Sequence, residues 1–496
     1  FPDAYIVIDA LDECADREET LVWVNNLISD THRAAENLHI MVTSRPERDI
    51  EKVFVMFDAR AIDVGEATAN QDIIKFLECQ MESKLKGYDE NMRKEIKSSL
   101  KRQAEGSFRW VALQLSELEM CLSEYEIMEQ MKNLPKGLDE IYERILKAID
   151  GKYRADTMTF LEWLSFSKRP MKVAEVAEAI TVDFSSKGDP IFNAKRRYSN
   201  PRDMLVRCSS LPLLTVKTGT VKLSHFSVKE YLLSERVEKN FHLSEKAAHS
   251  KISGISVAYL LQFDSFVPLR ETTLDRSLLA RYAARYWIDH AKSGGMEPGL
   301  LKLVLQLFTT KTASFRNLIR IWDIDGPTWR QKQNLRMDAA HVYSPLYYAA
   351  LAGMEQVAHS LLEKGADVNA QEGYYGSALQ AAASEGNEAI VKVLLKKGAD
   401  VNAQGGYYKS ALQAASFKGH KAIAKVLLEK GANVNAEGGV YGSALHAASC
   451  EGHEAVVKVL LEYGADVNAQ GGYHGSTLQA ASYKGHEAVV KVLLKK

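Results

Sequence analysis

Nowhere in these 496 residues does an apolar run approach the roughly 18 residues that a membrane-spanning helix needs, so no membrane contact is expected. Cysteine is scarce. Cys14, Cys79, Cys121, Cys208 and Cys450 are scattered without a CxxC pair. That spacing argues against a disulfide framework or a zinc site, and for reduced thiols in a cytoplasmic, intracellular setting. Excess charge is missing too: the formal net charge of −1 offers no long-range attraction for nucleic acid or an anionic membrane. What remains, 46% hydrophobic and 26% charged, is the make-up of a globular chain. Its length exceeds one hydrophobic core, so three or four domains are expected. The chain opens on Phe1 instead of Met and stops within a repeat, at VVKVLLKK. We therefore read the sequence as a fragment, in which the lack of a targeting peptide says little.

What is present above all is repetition. KGADVNA, KGADVNA, KGANVNA and YGADVNA place glycines at Gly365, Gly398, Gly431 and Gly464, 33 residues apart each time. Between them recur segments such as SPLYYAALAG and SALQAAASEG, opening at Ser344, Ser377, Ser410, Ser443 and Ser476. Each unit reads as two short helices and a loop. The first helix carries small residues such as Ala381 and Ala382, which allow close approach. The second carries an aliphatic stripe, as at Ile390, Val391, Leu394 and Leu395. Gly398 then stands where a helix ends in a left-handed residue. One unit cannot bury its stripe alone, so stacking is required.

Residues 341–496, five units with the last truncated, resemble the ankyrin repeat. The usual Thr-Pro becomes Ser344-Pro345 once and Ser-Ala or Ser-Thr thereafter. The usual histidine is kept only as His446, with Tyr347, Gln380, Gln413 and Gln479 elsewhere. Serine can still cap the helix, and glutamine can still bond to the neighbouring loop, so the fold is expected to survive. The loop tips GYYGS, GYYKS, GVYGS and GYHGS should project Tyr374, Tyr375, Tyr407, Tyr408, Tyr441, Tyr473 and His474 from adjacent hairpins. These rings suit a protein-binding surface. They equally suit packing against one another, and the two readings are compatible. Residues 344–496 hold 14 basic and 14 acidic residues, so nucleic acid is not indicated as a ligand.

The first residues carry a different signal. AYIVIDALDEC reads as a buried parallel strand ending in Asp9, Asp12 and Glu13. A helix follows, with Leu21, Val24, Leu27 and Ile28 at helical spacing, and then a second apolar run, LHIMVTSRP, closed by Arg45. Strand, helix and strand suggest a βαβ unit, in which ligands lie beyond the carboxyl ends of the strands. Either motif alone also fits an ordinary strand end or turn; the pair, 36 residues apart, narrows the choice. Together they resemble the Walker B and sensor strands of NACHT-type signal-transduction ATPases, especially fungal NOD-like receptors with ankyrin repeats. The resemblance makes Asp9 the magnesium ligand, Asp12 and Glu13 the catalytic acids, and Arg45 the phosphate sensor. No GxxxxGK[ST] loop stands in the 496 residues; Gly151-Lys152 is followed by Tyr153 and lacks the upstream glycine. ATP or ADP with Mg²⁺ is therefore expected in a full-length parent, a slow ATPase at most, with neither tight binding nor catalysis in the fragment.

By the same resemblance residues 1–60 are the C-terminal part of a P-loop α/β nucleotide domain, and 61–135 a helical lid with Phe108, Val111, Leu115 and Leu118 on one stripe. Residues 136–236 suggest a winged helix, from a helix near Leu138 to a hairpin (Leu213–Val216, turn at Gly219, Val221–Leu223) and a further helix. In LSHFSVKEYLL, His225 matches the histidine that reaches the β-phosphate of ADP; a histidine bonded at a strand–helix junction is the alternative. Residues 237–340 read as a helical connector, with Tyr282, Tyr286 and Trp287 as core. The expected whole is a nucleotide-gated receptor or scaffold whose ankyrin repeats bind a protein and whose release permits self-oligomerisation. The alternative is an ankyrin scaffold with an inactive nucleotide module. Charge disfavours a winged-helix DNA binder.

Overall fold

Apolar residues fill Ala4–Ile8 and Leu38–Val42, and both form strands, β1 and β2, paired in parallel with Ile6 opposite Ile40. The computed structural model describes all residues except 1–3, 10, 12, 13, 15, 35–37, 45, 46, 57–65, 105, 185–189, 209, 210, 216, 217, 266, 268, 310–312, 326–332, 338–340, 473, 474 and 496. They fall into two units, Phe1–Lys136 and Gly137–Lys496.

In the first unit a parallel pair needs a crossover, and α1 (Arg17–Ala34) supplies it, with Glu18 and Glu19 in its first turn where the helix dipole favours acid. The expected βαβ unit is formed. α2 (Arg48–Val55) follows β2, and Leu11, Leu21 and Ile50 make a buried cluster against Ile8 and Val42. The other face of the sheet is open: Tyr5, Val7 and Met41 are 72%, 63% and 58% exposed. Parallel strands are normally covered on both faces, and among the described residues this pair is covered on one.

Then come α3 (Glu66–Lys84), α4 (Glu90–Gln103), α5 (Phe108–Glu119) and α6 (Glu124–Lys132). Ile73 and Leu77 of α3 pack with Ile96 and Leu100 of α4 in the interior, as do Val111, Leu115 and Leu118 of α5. The expected α5 stripe fails at its start. Phe108 is 41% exposed, at the first turn, and meets Phe76 edge to face. Trp110 is the buried anchor instead, its indole N–H donating to the Pro135 carbonyl at 3.0 Å.

The second unit begins with α7 (Leu138–Lys147) and α8 (Arg154–Phe166), then β3 (Met171–Lys172), α9 (Val173–Ala179), β4 (Val182–Asp183) and β5 (Ile191–Phe192). α10 (Asp203–Arg207), the hairpin β6 (Pro212–Thr215) and β7 (Thr220–Leu223), and α11 (Phe226–Leu233) complete this part. The hairpin turns through Gly219 at φ +66, and β3 adds to β7, giving the order β3-β7-β6. Helices backed by a three-stranded antiparallel sheet are a winged helix. Val216, expected to end the first strand, lies outside the described residues.

The connector holds α12 (Glu245–Leu260), α13 (Glu271–Arg276), α14 (Ala280–Gly294), α15 (Pro298–Leu307) and α16 (Ser314–Ile321). Tyr282 and Trp287 are fully buried, as expected of core, whereas Tyr286 is only half-buried.

Five helix pairs follow: α17 (Pro345–Ala352) and α18 (Glu355–Glu363), α19 (Ala378–Ser384) and α20 (Glu388–Lys396), α21 (Ala411–Phe417) and α22 (Lys421–Glu429), α23 (Ala444–Cys450) and α24 (Glu454–Glu462), and α25 (Thr477–Tyr483) and α26 (Glu487–Leu493). Each first helix is N-capped by its serine, which accepts the backbone N–H three residues on. Gln380 donates to the Gly405 and Lys409 carbonyls at 2.9 Å each, and Gln413 to Gly442 at 3.1 Å, so glutamine bonds to the next loop as anticipated. Gln479 instead turns back and accepts from its own cap, the Ser476 amide. Neighbouring units are tied by Asn369, Asn402 and Asn435, whose amides donate to the Gly398, Gly431 and Gly464 carbonyls.

The array is joined to the connector by polar contacts no pattern announced. Tyr347, fully buried, donates its hydroxyl to Asp325 and accepts the Tyr375 amide at 3.2 Å. The other Asp325 oxygen accepts the Tyr374 amide at 2.9 Å. Residues 322–325 thus serve the first unit as a preceding hairpin would.

Candidate functional site

Asp9 follows β1 and is exposed at the carboxyl end of the sheet. Thr43, just beyond β2, donates its hydroxyl to the Asp9 carboxylate, while the Thr43 amide bonds the Ile8 carbonyl and the Leu11 amide bonds the Thr43 carbonyl, each at 2.9 Å. The parallel register therefore brings the two strand ends together. Asp12, Glu13 and Arg45 lie outside the described residues. Among the described residues no group of three or more His, Cys, Asp or Glu side chains could hold a metal. A single exposed carboxylate at a strand end still fits Mg²⁺, which keeps several waters and takes most of its other ligands from phosphate.

His225, in the other unit, is the N-cap of α11. Its Nδ1 accepts the Ser227 amide at 3.2 Å, and the Ser227 hydroxyl lies 2.7 Å from the same atom. A backbone N–H can only donate, so Nδ1 is bare and the neutral ring carries its proton on Nε2. Tyr142, buried on α7, holds Ser227 from the other side at 2.8 Å. The strand–helix junction thus accounts for Nδ1, and the proton of the neutral ring sits on Nε2.

The loop-tip tyrosines form two columns. Tyr374 and Tyr407 stack at 5.1 Å between centroids; Tyr375, Tyr408 and Tyr441 stack at 6.2 and 6.3 Å. All five were expected to project together. Tyr375 and Tyr408 turn inward instead, at 5% and 7% exposure, because successive residues of a hairpin point to opposite sides. Burial, then the Glu385 carboxylate that accepts its hydroxyl, pushes Tyr375 well above the usual phenol range. Phe417 closes over the inner column, 5.2 Å from Tyr408 and 4.5 Å from Tyr441. Tyr407 is the most open ring, at 37%. Tyr473 and His474 lie outside the described residues.

Beside Tyr407 the backbone is strained. Lys409 takes φ +71 where Gly376, Gly442 and Gly475 take +104, +74 and +80. Lys409→Gly is expected to raise stability by about 0.5–1 kcal/mol, read as a higher melting temperature. A lower one would mean that contact of its alkyl chain with Gly438 and Gly439 outweighs the strain.

One polar cluster escaped the sequence altogether. His249 and His290, 5% and 0% exposed, face each other with Nδ1 atoms 2.7 Å apart. Tyr282 lies 2.9 Å from His290 Nε2 and accepts the Lys168 amide at 2.9 Å, so the cluster joins α12 and α14 to the loop after α8. Two histidines 41 residues apart carry no spacing signal that could have paired them.

Family models match three stretches: ankyrin repeats, in three copies, over 346–438, 379–471 and 437–496; the winged helix domain of GPI inositol-deacylase over 142–244; and the N-terminal region of nephrocystin 3 over 1–45. A NACHT-like start, a winged helix and an ankyrin array thus follow one another along the chain. Azaphilone pigments biosynthesis cluster protein L of Monascus ruber is 33% identical over 302 residues, 56% of this chain and 63% of that protein. Vegetative incompatibility protein HET-E-1 of Podospora anserina is 25% identical over 320 residues, 58% of this chain and 23% of that protein. The chain is similar to fungal NACHT/ankyrin proteins of NOD-like receptor type, and it spans less than two thirds of either relative's length. No helix among the described residues is long and apolar enough to cross a membrane.

Proposed function

We propose that this chain is the regulatory and sensing part of a nucleotide-gated receptor, with β1, α1 and β2 belonging to a P-loop α/β domain and the ankyrin array binding a protein. The observation that carries the reading is the parallel βαβ unit, whose register sets Asp9 beside Thr43 at the carboxyl ends of the strands. Mg²⁺, when bound, neutralises the β- and γ-phosphate oxygens. Asp9 would hold it, Asp12 and Glu13 would orient water, and Arg45 would sense the γ-phosphate. His225, with Nε2 as donor, would bond the β-phosphate of ADP and so tie the winged helix to the resting state. Tyr374 and Tyr407 offer a protein ligand a stacked pair already fixed in place, which lowers the entropy lost on binding. Gating requires that ligand to bind the two nucleotide states with different affinity.

The test is the adenine nucleotide that copurifies with the full-length protein. Asp9→Ala and His225→Ala are each expected to remove most of it. His225→Asn keeps an acceptor for the Ser227 amide but shifts the donor, so it separates capping from phosphate contact. Undiminished nucleotide in both alanine variants would leave a scaffold without a switch.

A further inference from the structure

The first helices of the array end in a second repeating pattern: Ser384-Glu385, Phe417-Lys418, Cys450-Glu451 and Tyr483-Lys484. Each charged residue is the C-cap of its helix, and all four are exposed. They form one row along the stack, reading minus, plus, minus, plus. The residues before them read small, large, small, large. Among the described residues none of the four is in an ion pair. The second helices do otherwise, closing their charges internally through Glu388–Lys392, Glu454–Lys458 and Glu487–Lys491.

A row of this kind is its own complement when reversed. A two-fold axis through its middle sets Glu385 opposite Lys484 of a second copy, and Lys418 opposite Glu451, each contact occurring twice. The same rotation brings Tyr483, 77% exposed, to the end of the helix that carries Glu385 in the second copy. Charge thus matches at all four positions. We propose that the ankyrin array pairs antiparallel with a second copy of this chain through this row. The protruding Tyr483 supplies buried area; the charges fix register, since exposed ion pairs contribute little affinity of their own. The proposal does not depend on nucleotide.

Sedimentation velocity of the 496-residue chain, without nucleotide, tests it. The wild type is expected to form dimers that weaken with added salt. Lys418→Glu and Glu451→Lys each set like charges together twice, and each should weaken the dimer about tenfold or more. Mixing the two variants restores every opposition as a heterodimer, and the double swap Lys418→Glu/Glu451→Lys restores the homodimer. Tyr483→Ala should weaken it independently of salt. A wild type monomeric at every concentration, single variants that dimerise as the wild type does, or a swap that restores nothing would each overturn the proposal. None of these outcomes bears on the copurified nucleotide.

Discussion

Replacing Tyr347 by alanine is expected to destabilise the chain by about 3–5 kcal/mol, the largest effect of any single ring in the array. The ring is fully buried between Tyr343 and Tyr348, and its hydroxyl takes part in two of the bonds that join connector to repeats. Gly373 leaves room for it: a Cβ there would stand 2.1 Å from the Tyr347 ring. Alanine would open a cavity and also deprive Asp325 of its phenol donor. Tyr347→Phe isolates the hydroxyl, about 1.5–3 kcal/mol for the bond to the carboxylate and about 1 more for the Tyr375 amide left without its acceptor. Urea denaturation followed by circular dichroism measures both. Were the alanine variant as stable as the phenylalanine one, packing at this joint would contribute nothing and the array would be independent of the connector.

Acid is expected to weaken the joint between connector and winged helix. Burial first, then the neighbouring His249, lowers His290 to about 3. Burial, then the Lys168 charge, also lowers His249; Lys229 acts the same way and Glu245 opposes it. Unfolded histidine titrates near pH 6.5. Between there and about 3 the unfolded chain takes up a proton at His290 that the folded chain refuses. Stability from this group is therefore complete above pH 6.5 and falls by about 1.4 kcal/mol per pH unit below it. Tyr282 stands on one nitrogen of His290 and His249 on the other, so the ring that would take the proton is enclosed on both sides. His290→Phe should be less stable at neutral pH yet show a flatter slope between pH 6.5 and 4. An unchanged slope would assign the acid sensitivity to carboxylates elsewhere.

Much of this molecule could be read before it was seen. The 33-residue period, the five serine caps and the glycine at Gly398 depend on neighbours within one helical turn, and the stack follows from the stripe each unit must bury. The strand–helix–strand start and the hairpin around Gly219 were legible for the same reason. The α5 stripe misled only at Phe108, where periodicity counts apolar residues without knowing that the first turn lies at the edge of the core. Of the candidate nucleotide residues, the sequence supplied the type and order, and the parallel register placed Asp9 beside Thr43.

Other features belonged to tertiary structure alone. Which tyrosine of each YY pair turns inward depended on how the hairpin meets the next unit. Asp325 found Tyr347, and His249 found His290, across 22 and 41 residues. Local spacing determines which residues share a helix or a strand, because backbone geometry repeats over a few residues. Which buried polar groups then meet is decided by the packing of whole elements, where each donor and acceptor taken from water must find its partner wherever the chain has brought one.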